Sequence, residues 1–182
     1  MKKAVFGLAK NESQAQRIVE RLQTAGFETD EISVLFADRS RPANERNPNK
    51  GTIAHEKHTK APEGATTGAV SGGIIGGSLG ILAGIGALAI PGLGPFVAAG
   101  PLMAALAGSG VGGGLGMLIG ALVGLGMPEY EAKRYENSLK AGGILLSIHT
   151  NNAEDVDRAC DLLRKEGATD ISTSYEKTRS GS

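Results

Sequence analysis

The residues in this chain that could do chemistry are few and scattered. Gly108-Ser-Gly-Val-Gly-Gly113 fits G-x-G-x-x-G, the loop that brings a backbone close to a dinucleotide phosphate. That loop needs a strand before it and an acidic ribose partner downstream within the same βαβ unit; the match follows no predicted strand and has no such partner, and a glycine-rich stretch produces the pattern by composition alone. His55-Glu-Lys-His58 places two imidazoles and a carboxylate within reach of one metal ion if the segment is helical. A lysine interrupts it and no further Cys or His lies nearby, so a solvated linker is the expectation. His149 ends a predicted strand and is expected at an edge or on the surface. Cys160 adjoins the apolar stripe of a predicted helix, with no paired base or cationic neighbour to make it a nucleophile; a small buried side chain is expected. Glu129, Glu131 and Glu136 could form a carboxylate site, but pairing along a solvated helix, as in Glu129 with Lys133, is the simpler use. No catalytic residue, cofactor or metal is expected.

The elements that would hold these groups divide by composition. The 182 residues carry 19 basic and 19 acidic side chains, so no basic face is available for nucleic acid. One cysteine excludes a disulfide framework within the chain and agrees with a reducing compartment. The opening MKKAVFGLAKNESQ is too polar for a signal peptide and is expected to begin folded structure. Every charged side chain lies in 1–63 or 129–182, while the charge-free middle holds most of the 28 glycines.

The two flanks repeat one pattern. Strand-like 3–8, a helix capped near Asn11 and Ser13 with apolar Ala15, Ile18, Val19 and Leu22, Gly26 as a left-handed cap, and strand-like 32–36 make the first βαβ half, residues 1–37. Strand-like 144–149, a helix capped by Asn152 with apolar Val156, Ala159, Leu162 and Leu163, Gly167, and strand-like 171–175 make the second, residues 141–176, before a short tail at 177–182. Together they predict an α+β, ferredoxin-like split βαβ domain, β-α-β-β-α-β, with a four-stranded sheet under two helices. Residues 38–63 read as a polar linker. Residues 128–140 read as a return helix with Pro128 in its first turn and Ala132, Tyr135 and Leu139 inward.

Between them, 64–127 is expected to be a glycine-zipper antiparallel helical hairpin, with helices at about 65–90 and 97–127, each long enough to cross a bilayer. Gly64, Gly68, Gly72, Gly76, Gly80 and Gly84 recur every four residues, as do Gly100, Ala104, Gly108, Gly112, Gly116, Gly120 and Gly124. Residues four apart share a helix face, and a small-residue stripe lets two backbones approach closely. The twelve glycines are thus the expected helix-packing residues. In a membrane the partners are the lipid bilayer and further copies of the chain. Nearby Arg39, Arg41, Arg46, Lys133 and Arg134 favour a cytoplasmic location for both termini. A soluble homo-oligomer with the hairpin as its core, and a sheet that binds a small molecule, remains the alternative.

Lys60-Ala-Pro-Glu-Gly-Ala-Thr-Thr-Gly68, Gly84-Ile-Gly-Ala-Leu-Ala-Ile-Pro-Gly-Leu-Gly-Pro-Phe96 and Pro128-Glu-Tyr-Glu-Ala-Lys-Arg-Tyr-Glu136 resemble a bacterial glycine-zipper family of general stress proteins, the YflT-like heat-induced and low-temperature-induced proteins. The resemblance runs over nearly the whole chain. It implies a stress-linked, membrane-associated role at the bacterial inner membrane and transfers no catalytic residue. The architecture also resembles, more distantly, the ActD subunit of alternative complex III, a quinol oxidoreductase. That likeness would imply an unidentified protein partner, and the sequence offers no haem or iron–sulfur ligand set.

Overall fold

The computed structural model describes residues 3–37, 86–90, 94–108 and 116–175. They form an α+β unit. Strands β1 (Lys3–Ala9), β2 (Ile32–Ala37), β3 (Gly86–Ile90), β4 (Gly94–Ala99), β5 (Ile144–Thr150) and β6 (Thr169–Tyr175) make one six-stranded sheet in the order β3-β4-β2-β5-β1-β6. Every pairing is antiparallel.

Helices α1 (Glu12–Thr24) and α5 (Ala153–Lys165) cover one face. Asn11 caps α1 by accepting from the Gln14 N–H at 2.9 Å, and Asn152 caps α5 through the Glu154 N–H at 3.1 Å. Each side-chain oxygen satisfies a donor that the first turn would otherwise leave unpaired. Gly26 and Gly167 follow the two helices at φ +94° and +76°, where a Cβ would be strained. This first face is mostly aliphatic: Val5, Ile32, Val34, Ile144, Leu146 and Ile148 meet Ile18, Leu22 and Leu163, with Phe27, Phe36 and Cys160 in the same cluster.

The second face is also covered. Helices α2 (Pro101–Gly108), α3 (Met117–Gly124) and α4 (Glu129–Lys140) lie on it, with Leu102, Leu106, Leu118 and Leu122 buried against Phe6, Leu35, Phe96 and Leu145. In α4 the buried residues are Ala132, Tyr135 and Leu139, and Pro128 is its N-cap, just before the first helical residue.

Two expectations need correction. Residues 86–90 and 97–99 are strand, not helix: β3 pairs with β4, and β4 with β2 from Ala37↔Phe96 to Val34↔Ala99. A short apolar run has no period that separates strand from helix, and the Pro91-Gly-Leu-Gly-Pro95 stretch between these runs is better suited to linking two strands. Pro95 is tolerated because pairing with β2 starts one residue later, at Phe96. The expected helix over 97–127 is instead two eight-residue helices, α2 and α3. The expected helix over 65–85, the linker 38–63 and the tail 177–182 lie outside the described residues.

Candidate functional site

Side chains alternate across each strand, so the residues interleaved with the aliphatic row point at the second face, and many are polar. On β5 these are Ser147 and His149, on β2 Ser33, and on β6 Ser172 and Ser174. Ser33, Ser147, Phe6 and Ser172 form one cross-strand row, because Ser147 pairs with both Ser33 and Phe6, and Phe6 with Ser172. Ser147 Oγ and His149 Nε2 are 2.8 Å apart, and the imidazole stands edge-on to Phe6. His149 is therefore buried on a central strand, not at an edge or on the surface. The sequence shows only that it ends a strand; β2 and β1 flank it through long-range pairing that no local pattern reveals. A buried serine beside an imidazole is a nucleophile–base geometry only where substrate can reach it. Here Ser147 is fully buried under the helices, with its Oγ hydrogen-bonded to the imidazole.

Two other serines hold the helices themselves. Ser33 Oγ accepts from the Leu102 N–H at 3.1 Å, so a residue of β2 supplies the cap that α2 lacks in its own sequence. Ser174 Oγ donates to the Leu125 carbonyl at 2.9 Å, at the C-terminal end of α3. The turns beside these anchors contain Gly100 (φ +72°) and Gly126 (φ +89°). Tyr135 on α4 hydrogen-bonds to Asp170 and Ser172 of β6, and burial pushes its phenol up to about 12.

The outward side of α2 and α3 is the second distinctive feature. Neither helix contains a charged residue. Val123 is 42% exposed and Gly116, Gly120 and Gly124 are exposed, while Met103, Met117 and Ile119 are half-buried against the second-face cluster. A Cβ on any of these three glycines would meet no described atom within 4 Å. An ordinary surface helix is polar on its outer side; α3 is apolar inside and apolar or bare outside. Gly100 belongs to a turn, where a Cβ would collide with the Ile32 carbonyl, so its role is close backbone approach to β2 and not helix–helix packing. Gly108 ends α2, while Gly64, Gly68, Gly72, Gly76, Gly80, Gly84 and Gly112 lie outside the described residues, as do His55, His58 and most of the G-x-G-x-x-G match.

Cys160 is buried on α5, and burial pushes its thiol up against a smaller opposing effect of Arg164. Glu129 pairs with Lys133 at 3.0 Å and Glu136 with Lys140 at 2.5 Å, which spends two of the three glutamates on helix-surface pairs. Among the described residues no cluster of His, Cys, Asp and Glu could hold a metal, and no helix is long and apolar enough to cross a membrane. Sequence reasoning missed Ser33 and Ser174. The only signal was a serine at an inward register position of an otherwise apolar strand.

No family model matches the chain, and no curated protein or solved structure matches it either.

Proposed function

We propose that this is a non-catalytic, stress-related protein of the bacterial inner membrane, anchored and self-associating through its charge-free, glycine-periodic middle. The termini and the sheet are cytoplasmic. The strand order β2-β5-β1-β6, with α1 and α5 on one face, supports reading the anchored domain as a ferredoxin-like split βαβ unit, extended at one edge by β3 and β4.

The observation that carries the membrane assignment is the outward side of α2 and α3. Water gains nothing from the exposed Val123 there, whereas hydrocarbon accommodates it. The bare glycines Gly116, Gly120 and Gly124 fit the close helix approach that drives association in lipid, where apolar burial no longer does. The stress role rests on the family resemblance alone. Fractionation of the native protein tests the assignment: pelleting with membranes that resists carbonate extraction is expected, and quantitative release by carbonate would overturn insertion.

A second reading is a soluble homo-oligomer, with a small-molecule ligand on its sheet. It is favoured by the docking of Leu102, Leu106, Leu118 and Leu122 on the chain's own sheet. It predicts a homogeneous oligomer purified without detergent.

A further inference from the structure

Among the described residues the sheet ends at β6 on one side and at β3 on the other. An edge strand presents backbone N–H and C=O groups to whatever comes beside it, and sheets guard such edges with charge, proline or a bulge. β6 is guarded. Its register against β1 shifts between Phe6 and Leu8, Asp170 stands at φ +50° and pairs with Arg134, and the Asp170 carbonyl already accepts from Tyr135. β3 lacks these devices. Gly86-Ala-Leu-Ala-Ile90 carries neither a charge nor a proline, and its register against β4 is unbroken.

Which β3 groups face outward follows by counting across the sheet. The His149 N–H donates to the Glu31 carbonyl at 2.8 Å, so this antiparallel pair is hydrogen-bonded, and by alternation so are Ser33 with Ser147 and Leu35 with Leu145. Successive residues of a strand direct their backbone groups to opposite neighbours. Val34 and Phe36 therefore turn theirs toward β4, where they meet Ala99 and Val97. Phe96 and Ala98 then bond Leu88 and Gly86. Ala87 and Ala89 are left directing their N–H and C=O groups away from the sheet. Pro95 gives the same answer independently: it has no N–H, and it stands opposite Ala89, which suits a pair that exchanges no hydrogen bond.

We infer that β3 is a self-association edge, at which two copies of the chain join antiparallel about a twofold axis through Leu88. In that register Ala87 of each copy pairs with Ala89 of the other. Both are outward-facing, so the two pairs supply four backbone hydrogen bonds. Leu88 meets its own counterpart in the intervening non-hydrogen-bonded pair, where Cα atoms lie about 4.5 Å apart. A slip of one residue would set the alanines against residues already bonded within the chain. A second copy is the fitting occupant because the pattern is its own complement. No like charges face each other across the axis, and 19 basic against 19 acidic side chains leave no net charge to hold two copies apart. Four hydrogen bonds make a weak, concentration-dependent contact. The inference does not depend on the membrane reading, and β3 is a different surface from the glycines of α3.

The test is made on the full chain in mild detergent. In the wild type, amide exchange at Ala87 and Ala89 should slow about fivefold as protein concentration rises. With Cys160→Ala as background, Leu88→Cys should form a disulfide-linked dimer under mild oxidation at least about tenfold faster than Ala87→Cys, because only position 88 meets its own counterpart. Ala89→Pro removes an outward N–H that no bond within the chain uses and should weaken association about tenfold. Ala89→Lys keeps the backbone donor, charges the edge and should weaken it too. Gly120→Leu should leave the Leu88→Cys cross-link unchanged. Loss of the cross-link with Gly120→Leu would assign association to α3 and overturn the edge. Slow exchange of both alanines at every concentration would mean that the chain itself covers β3, and fast exchange at every concentration that nothing does; either overturns the second copy as occupant. Equal cross-linking at positions 87 and 88, or association that neither Ala89 variant changes, would overturn it as well.

Discussion

The phenol of Tyr135 on α4 donates to the backbone carbonyl of Asp170, at the head of β6, and stands 3.0 Å from Ser172 Oγ on the same strand. Asp170 is held at φ +50°, the only non-glycine residue at positive φ among the described residues, and its carboxylate pairs with Arg134 on the turn of α4 that carries Tyr135. One helix turn thus fixes both the backbone and the side chain of the second residue of the edge strand. Tyr135→Phe keeps the ring against Phe6 but leaves the Asp170 carbonyl and Ser172 without that partner. The expected loss is about 1–3 kcal/mol, read from the midpoint shift in urea unfolding. A loss indistinguishable from zero would mean that water replaces the phenol.

The same contact sets a pH dependence. Burial raises the Tyr135 phenol from 10.0 to about 12, with the Ser172 hydrogen bond opposing. A raised folded-state value means that the folded chain holds the proton more tightly than the unfolded chain. The contribution is complete below pH 10.0 and is lost as pH climbs towards about 12. The Tyr135 phenolate should appear late in an ultraviolet titration of the native protein, and Tyr135→Phe should remove that step, while the hydrogen bond to Glu131 also holds the Tyr130 phenol up.

The parts of this fold that are legible in the sequence are those set by local chemistry. Asn11 and Asn152 cap, Gly26 and Gly167 terminate, and Ala132, Tyr135 and Leu139 share a stripe; each follows from spacing within a few residues. The strands at 86–90 and 94–99 were not legible, because Gly-Ala-Leu-Ala-Ile has no period that distinguishes a buried strand from a buried helix. Its assignment depends on pairing with β4, and that of β4 on the open edge of β2, which is distant in sequence. The anchoring serines were hidden for the same reason. Ser33 is 69 residues from Leu102, and Ser174 is 49 from Leu125.

Alanine substitution separates Gly100 from Gly26, two glycines held at positive φ. At Gly100, φ is +72° and a Cβ would collide with the Ile32 carbonyl while lying 2.9 Å from Ser33 Oγ. Gly100→Ala should cost more than about 2 kcal/mol, because backbone strain and a clash with backbone add. Gly26, at φ +94° with nothing within 4 Å, should cost only the strain, about 1 kcal/mol. Chemical denaturation ranks the two; equal losses would mean that the β2–β4 junction yields to the added methyl.

Cys160 should react slowly. Its thiol is buried and shifted upward by that burial, which Arg164 only partly offsets. Alkylation of the native protein at neutral pH is expected to be at least about tenfold slower than that of the urea-unfolded chain. Comparable rates would show that α5 opens readily and that the first-face core is looser than its aliphatic packing implies.

Gly120 distinguishes folding from assembly. It lies mid-helix in α3, is exposed, and has open space where a Cβ would stand. Gly120→Ala should therefore leave the fold unchanged or stabilise it by up to about 1 kcal/mol, since alanine is the better helix former. Gly120→Leu is expected to leave the isolated fold intact, because the position its Cβ would take is open. If Gly116, Gly120 and Gly124 form the contact between copies, the leucine holds two backbones apart and assembly in mild detergent should collapse. Sedimentation of wild type and Gly120→Leu at matched concentration reads this directly. Unchanged assembly would remove the glycine stripe of α3 from the self-association interface, and an unfolded variant would mean that this face packs within the chain itself.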